Sequence, residues 1–179
     1  AVLTAGIVGN AFLLADGVSL GAASAAVVNE RSHEAVKDAG ELLDDFSHRV
    51  YLPRDVAIER DGERIELDLD DLPTDQPAMD IGARTVATYA EILEDAGTAI
   101  LNGPAGVFEN ERFETGTFEL YRSATRAETS IVGGGDTASA LRKLGILEDF
   151  DHVSTGGGAA LRMLTGHTLA GIEALDQQQ

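Results

Sequence analysis

Short apolar runs that stop at glycine recur along the chain. Thr98-Ala99-Ile100-Leu101 ends at Asn102-Gly103-Pro104, and Ser130-Ile131-Val132 ends at Gly133-Gly134-Gly135. A weaker run, His152-Val153-Ser154, leads into Gly156-Gly157-Gly158. Each is too short for a helix and is bounded by strong breakers, so each predicts a strand. Ala1-Val2-Leu3-Thr4 and Val50-Tyr51-Leu52 predict two more. Between them the apolar positions recur at the helical period. Ser32 to Phe46 puts Val36, Ala39, Leu42, Leu43 and Phe46 on one face, with Ser32 as its cap. Ala83 to Ala96 does the same with Val86, Ala87, Ala90 and Leu93, and Glu111 to Arg126, Thr137 to Leu144 and Ala159 to Leu164 complete the predicted helices.

Strands alternating with helices of this length predict a parallel sheet covered on both faces. The interruption is Asp55 to Leu69, where Ile58, Ile65, Leu67 and Leu69 flank Asp61-Gly62. That pattern predicts a β-hairpin, an antiparallel addition beside the main sheet. No linker-like or low-complexity segment divides the 179 residues. The expected fold is a single α/β domain, a three-layer parallel sheet with helices on both faces (Rossmann-like), carrying a small antiparallel hairpin.

Composition narrows the function classes. Asp and Glu number 31 against 13 Lys and Arg, a formal net charge of −18, while 44% of residues are hydrophobic, too many for a disordered acidic tail. The absence of cysteine excludes a disulfide scaffold, a thiol nucleophile and a Cys-ligated zinc. Apolar stretches such as Ile7 to Ala15 are too short to span a bilayer, and no secretory signal pattern opens the chain. The negative charge argues against nucleic acid or an anionic membrane as partner, so a soluble cytoplasmic domain is expected. Only Lys37 and Lys143 are lysines, and acids occur along the whole length. This composition suits a halophilic protein, because molar salt shortens the Debye length and screens self-repulsion. Stability is expected to rise steeply between dilute buffer and molar KCl.

In open parallel sheets ligands bind beyond the carboxyl ends of the strands, where three of these strands end in glycine. Glycine lets a ligand approach the backbone and leaves the first N–H groups of the following helix free for an anion. Three such loops point to an anion site that needs no positive side chain. Asp136 in Gly133-Gly134-Gly135-Asp136-Thr137 is suited to capping its helix, and beside a polyphosphate the same carboxylate is suited to hold Mg²⁺. A bridging cation would also let an acidic protein bind a polyanion. No P-loop motif, no G-x-G-x-x-G after a strand and no G-x-S-x-G occurs, and no lysine lies near a glycine loop in the sequence. The histidines are scattered; His152 precedes the last glycine loop.

Leu101-Asn102-Gly103-Pro104-Ala105-Gly106-Val107-Phe108-Glu109 resembles the nucleotide-binding segment of the phosphoglycerate kinases. Ser130 to Ala138 and Val153 to Ala159 resemble two further signatures of that family, in its order. Similar segments extend over nearly the whole chain: Thr4-Ala5-Gly6 through Leu13, Leu52 to Val56, Met79-Asp80-Ile81-Gly82, and Gly171 to Leu175. The resemblance implies reversible phosphoryl transfer between 1,3-bisphosphoglycerate and MgADP, giving 3-phosphoglycerate and MgATP, in glycolysis and gluconeogenesis. It implies that Asp136 holds the Mg²⁺ of ATP or ADP, with Gly133, Gly134, Gly135 and Thr137 at the phosphates. Glu109 would bind the ribose and Asn102 would lie near the terminal phosphates, followed by Gly103 and Pro104. Gly6 would form the first glycine turn, and Met79 and Val107 would line the adenine slot. Gly156, Gly157 and Gly158 would stabilise the phosphoryl group in transit, and Ser154 and Thr155 would lie in the hinge for domain closure.

The family has two domains, and residues 1–179 resemble the second, nucleotide-binding one. The 3-phosphoglycerate domain with its basic patch and catalytic arginine, and the lysine-bearing motif before Thr4, are not matched by this chain. Ala5 stands where many members have glycine, a change expected to tighten the turn slightly. The chain alone is expected to bind Mg-nucleotide weakly without turnover. A free-standing Mg-nucleotide-binding module is the alternative reading, and a Rossmann-type oxidoreductase is remote.

Overall fold

Every glycine-ended apolar run forms a parallel strand in the computed structural model, which describes residues 1–176. β6 (Thr98–Asn102), β7 (Thr129–Gly133) and β8 (His152–Ser154) lie side by side in register, Asn102 opposite Gly133 and Gly133 opposite Ser154. Their carboxyl ends therefore finish level. β1 (Val2–Leu3) and β2 (Val50–Tyr51) form a second parallel pair, Val2 opposite Val50.

The predicted hairpin is β3 (Asp55–Arg60) and β4 (Glu63–Asp68), with Arg60 opposite Glu63. Its two-residue turn has positive φ at both Asp61 (53°) and Gly62 (79°), the geometry whose twist matches that of the strands. A short strand absent from the sequence reading, β5 (Asp80–Ile81), pairs antiparallel on the other side of β3. Flanked by β4 and β5, β3 is buried on both faces from Asp55 to Ile58.

Helices cover these sheets. α1 (Gly6–Ala15), α2 (Ala22–Arg31), α3 (Ala35–Phe46) and α4 (Ala83–Glu94) precede β6 in the chain. α5 (Thr115–Ala124), α6 (Gly135–Leu144), α7 (Gly157–Leu164) and α8 (Ala170–Asp176) follow it. The fold is α/β, with parallel sheets flanked by helices and a small antiparallel sheet. The main core packs Phe108, Phe118, Tyr121, Val132, Leu141 and Phe150 between the β6–β7 face and α5 and α6. A second cluster joins Ile81, Tyr89, Ala105 and Leu120.

The structure corrects three sequence-based expectations about the helices. Ser32 does not cap α3; it ends α2, its N–H donating to the Val28 carbonyl at 3.0 Å, while α3 begins after Glu34. Helix α5 starts at Thr115 instead of Glu111, because residues 111–114 are occupied in turns. Of the apolar face assigned to α3, Ala39 is buried but Leu42 and Phe46 are exposed.

Candidate functional site

Two helix starts meet where β7 and β8 end. Gly134 precedes α6 at φ +111°, and Gly156 precedes α7. The Gly134 N–H donates to the Ser154 carbonyl at 2.9 Å, tying one loop to the other. A Cβ on Gly157 would stand 2.7 Å from the Gly134 Cα, so the two backbones are in direct contact and only glycine fits. The Asn102 amide closes the joint: its Nδ2 stands 3.1 Å from a Cβ on Gly133 and 3.4 Å from one on Gly157. The first helical hydrogen bonds are Ala138 to the Gly134 carbonyl and Ala160 to the Gly156 carbonyl. The N–H groups of Gly135, Asp136 and Thr137, and of Gly157, Gly158 and Ala159, therefore have no acceptor within their helices. Six donors on two adjoining helix starts are left without a helical acceptor, the kind of group that can bind an anion.

Asp136 lies in the first turn of α6, exposed, and makes no capping hydrogen bond. Its bland role, capping, is thus not taken up, and the carboxylate stays available to a cation. No cluster of three or more potential metal ligands exists among the described residues. A Mg²⁺ at Asp136 would complete its shell with phosphate oxygens and water, as that ion commonly does. Thr137 contributes differently. Its side chain is fully buried, its hydroxyl donating to the Gly133 carbonyl at 2.8 Å and accepting the Gly103 N–H at 2.9 Å, so it is committed within the protein.

The loop after β6 departs from the expectation of a third open cradle. Its N–H groups are spent within the protein. Gly103 donates to Thr137, and Ala105 and Gly106 both donate to the buried Thr117 hydroxyl at 3.0 and 3.1 Å. Val107 donates to the Met79 carbonyl at 2.8 Å, and Phe108 to that of Gly106. The bond between Val107 and Met79 brings together two residues far apart in sequence. Gly6, at φ +56°, sets the start of α1 against this loop: a Cβ there would lie 2.9 Å from the Pro104 carbonyl oxygen. Ala5 is extended (φ −149°), so its side chain brings no backbone strain. Glu109 is exposed beyond the loop.

Three supports were not found from sequence. Lys143, remote from every glycine loop in the chain, reaches the Phe108 carbonyl at 3.0 Å and Glu114 at 2.6 Å, with its ammonium over the Phe118 ring. Tyr121 donates its hydroxyl to the Gly103 carbonyl at 3.1 Å. Burial pushes the Tyr121 phenol up to about 12; its bond with Thr137 opposes the shift and the Asp136 charge adds to it. Asp80, beside Met79, has a fully buried carboxylate that accepts from Ile81 N–H, Gly116 N–H and Arg64 at 2.8–2.9 Å. Desolvation pushes the Asp80 carboxyl up, and the Gly116 N–H and Arg64 oppose it. Arg64 lies sixteen positions before Asp80, and in the sequence only the Met79-to-Gly82 resemblance touches Asp80.

An apolar cleft of about 370 Å³ lies between the sheet and α7, lined by Ile100, Ile131, Leu161, Met163 and Leu164. It also touches Asn102, Gly133, Ser154 and Ala159 at the joint.

The phosphoglycerate kinase family model matches residues 1–167. The chain belongs to the phosphoglycerate kinase family. It is 86% identical over 175 residues to the phosphoglycerate kinase of Natronomonas pharaonis, covering 97% of this chain and 44% of that protein. The phosphoglycerate kinase of Halobacterium salinarum is 49% identical over 177 residues, with the same coverage. Among solved structures, the Pyrococcus horikoshii phosphoglycerate kinase superposes with a TM-score of 0.88 at 38% identity, over 97% of this chain and 44% of that one. The Coxiella burnetii enzyme does so with 0.81 at 34% identity, over 92% and 44%. The chain thus spans about 44% of the length of the phosphoglycerate kinases it matches. No helix among the described residues is long and apolar enough to cross a membrane.

Proposed function

We propose that this chain is the nucleotide-binding half of a cytoplasmic phosphoglycerate kinase, which moves a phosphoryl group reversibly between 1,3-bisphosphoglycerate and MgADP. The observation that carries the reading is the joint of two open helix starts with an uncommitted carboxylate, Asp136, on one of them. Phosphoryl transfer asks a protein for position and charge neutralisation more than for covalent chemistry, and this joint supplies both.

Met79 and Val107 line the adenine slot, and Glu109 meets the ribose. The N–H groups of Gly135 to Thr137 face the nucleotide's phosphates, with Gly133 and Gly134 shaping the approach and Asn102 beside the terminal ones. The N–H groups of Gly157 and Gly158 stabilise the group in transit, and Gly156 sets the direction of their helix. Gly6 and Pro104 hold the start of α1 against the slot loop. Asp136 holds Mg²⁺, which when bound neutralises charge on the phosphate oxygens. The 3-phosphoglycerate side and its cations come from the rest of a full-length enzyme, and this chain alone binds nucleotide without turnover. Its acidity leaves nucleic acid and membranes without an attractive surface.

Titration of the chain with ADP at a series of Mg²⁺ concentrations tests the site. Tighter binding with Mg²⁺ is expected, and Asp136→Asn should abolish that dependence. ADP affinity that responds to neither EDTA nor the substitution would refute the metal role of Asp136.

A further inference from the structure

Both backbone polar atoms of Gly103 are gripped by buried side chains from different helices. Thr137 of α6 accepts its N–H and Tyr121 of α5 donates to its carbonyl. Gly103 has φ +84°, a left-handed turn that ends β6 and aims the preceding residue. That residue is Asn102, whose Nδ2 abuts Gly133 and Gly157 at the joint of the helix starts. The Tyr121 grip is not a consequence of core packing alone, since its ring could pack among Phe108, Phe118 and Phe150 without the hydroxyl.

We propose that Tyr121 is a positioning residue for the nucleotide's phosphates: through the Gly103 carbonyl its hydroxyl holds the Asn102 amide against the two helix starts. This rests on the nucleotide reading given above. Without that hydroxyl the Gly103 carbonyl loses its donor, and the turn is held from one side only. Asn102 then swings at the phosphate end. The adenine slot is unaffected, because Val107 is tied to Met79, and Ala105 and Gly106 to Thr117, by separate bonds. The consequence is selective: Tyr121 acts on affinity for phosphates and leaves affinity for adenosine alone.

The test is a double-mutant cycle on the full 179-residue chain in molar KCl, with MgADP and adenosine titrated separately. Tyr121→Phe keeps the ring, so a near-native melting temperature is expected. Its MgADP affinity should fall about tenfold, the worth of one lost hydrogen bond of positioning, while adenosine affinity stays within about twofold. Asn102→Ala should lose a similar factor. The double variant should lose no more than the larger single loss, because Tyr121 works through Asn102. Unchanged MgADP affinity in Tyr121→Phe, an equal loss for both ligands, or additive losses would overturn the positioning role while leaving the nucleotide site standing. No MgADP binding by the unsubstituted chain would overturn both.

Discussion

The protein starts helices on glycine in two opposite ways. At α4, Gly82 brings the helix start onto Asp55, whose carboxylate accepts the N–H groups of Arg84 and Thr85 at 2.9 Å and the Thr85 hydroxyl at 2.5 Å. The fit is so close that a Cβ on Gly82 would stand 2.3 Å from that carboxylate. At α6 and α7, glycine brings the helix starts onto each other, and no side chain fills them. The same backbone chemistry, orphan N–H groups at the positive end of a dipole, is consumed in the first case and kept open in the second. A helix start satisfied by the protein's own acid is architecture. One left without such an acceptor, beside a second like it, is what the proposed phosphate site requires.

The difference can be broken from either side. The largest stability effect is expected for Asp55→Ala. It leaves two N–H donors without their acceptor and takes from the buried Thr85 hydroxyl the nearer of its two, and should cost about 3 kcal/mol, a fall of roughly 10 °C in melting temperature. Nucleotide affinity measured well below that temperature should change little. Gly157→Ala should do the reverse. Its Cβ forces the joint apart against backbone, so MgADP affinity should fall about 100-fold, as misplacement by about 1 Å can do, with folding retained by circular dichroism. The smallest stability effect is expected at Asp136, which caps nothing. Asp136→Asn should cost about 0.5 kcal/mol in dilute salt through the lost charge near the helix dipole, and less in molar KCl, where that charge is screened. A loss at Asp136 as large as that at Asp55 would erase the distinction drawn between the two kinds of start.

Much of this was legible in the sequence, and what was not has physical causes. Strands that end in glycine, and a hairpin turning on Asp61-Gly62, are local signals, and the structure has them at those residues. Helix α1 escaped because Gly6-Ile7-Val8-Gly9 to Ala15 is apolar on nearly every side and shows no polar face. Helix α2 escaped because its alanines carry little pattern and it buries only Ser24 and Val28. The glycine loop after β6 looked like its two neighbours in sequence, and differs only because Thr117, Thr137 and the Met79 carbonyl take its donors. Those acceptors lie up to 34 residues away, beyond any local pattern. The supports at Arg64, Tyr121 and Lys143 share that cause: each meets its partner only through the fold.

Helix α6 also serves as a measuring rod. Asp136 stands in its first turn and Lys143 in its last, and Lys143 fastens the Phe108 carbonyl one residue before Glu109. Seven residues span about 10 Å and nearly two full turns, so both side chains leave the same side of the rod. If Asp136 and Glu109 take the metal and the ribose as proposed, the distance between those two ends of the nucleotide is set by a count of residues. Deleting one residue between them would shorten the rod by about 1.5 Å and turn Lys143 roughly 100° away from the loop it fastens. Substitutions at the exposed Ser139 and Arg142 would leave that gauge intact, whereas a single change in its length would not.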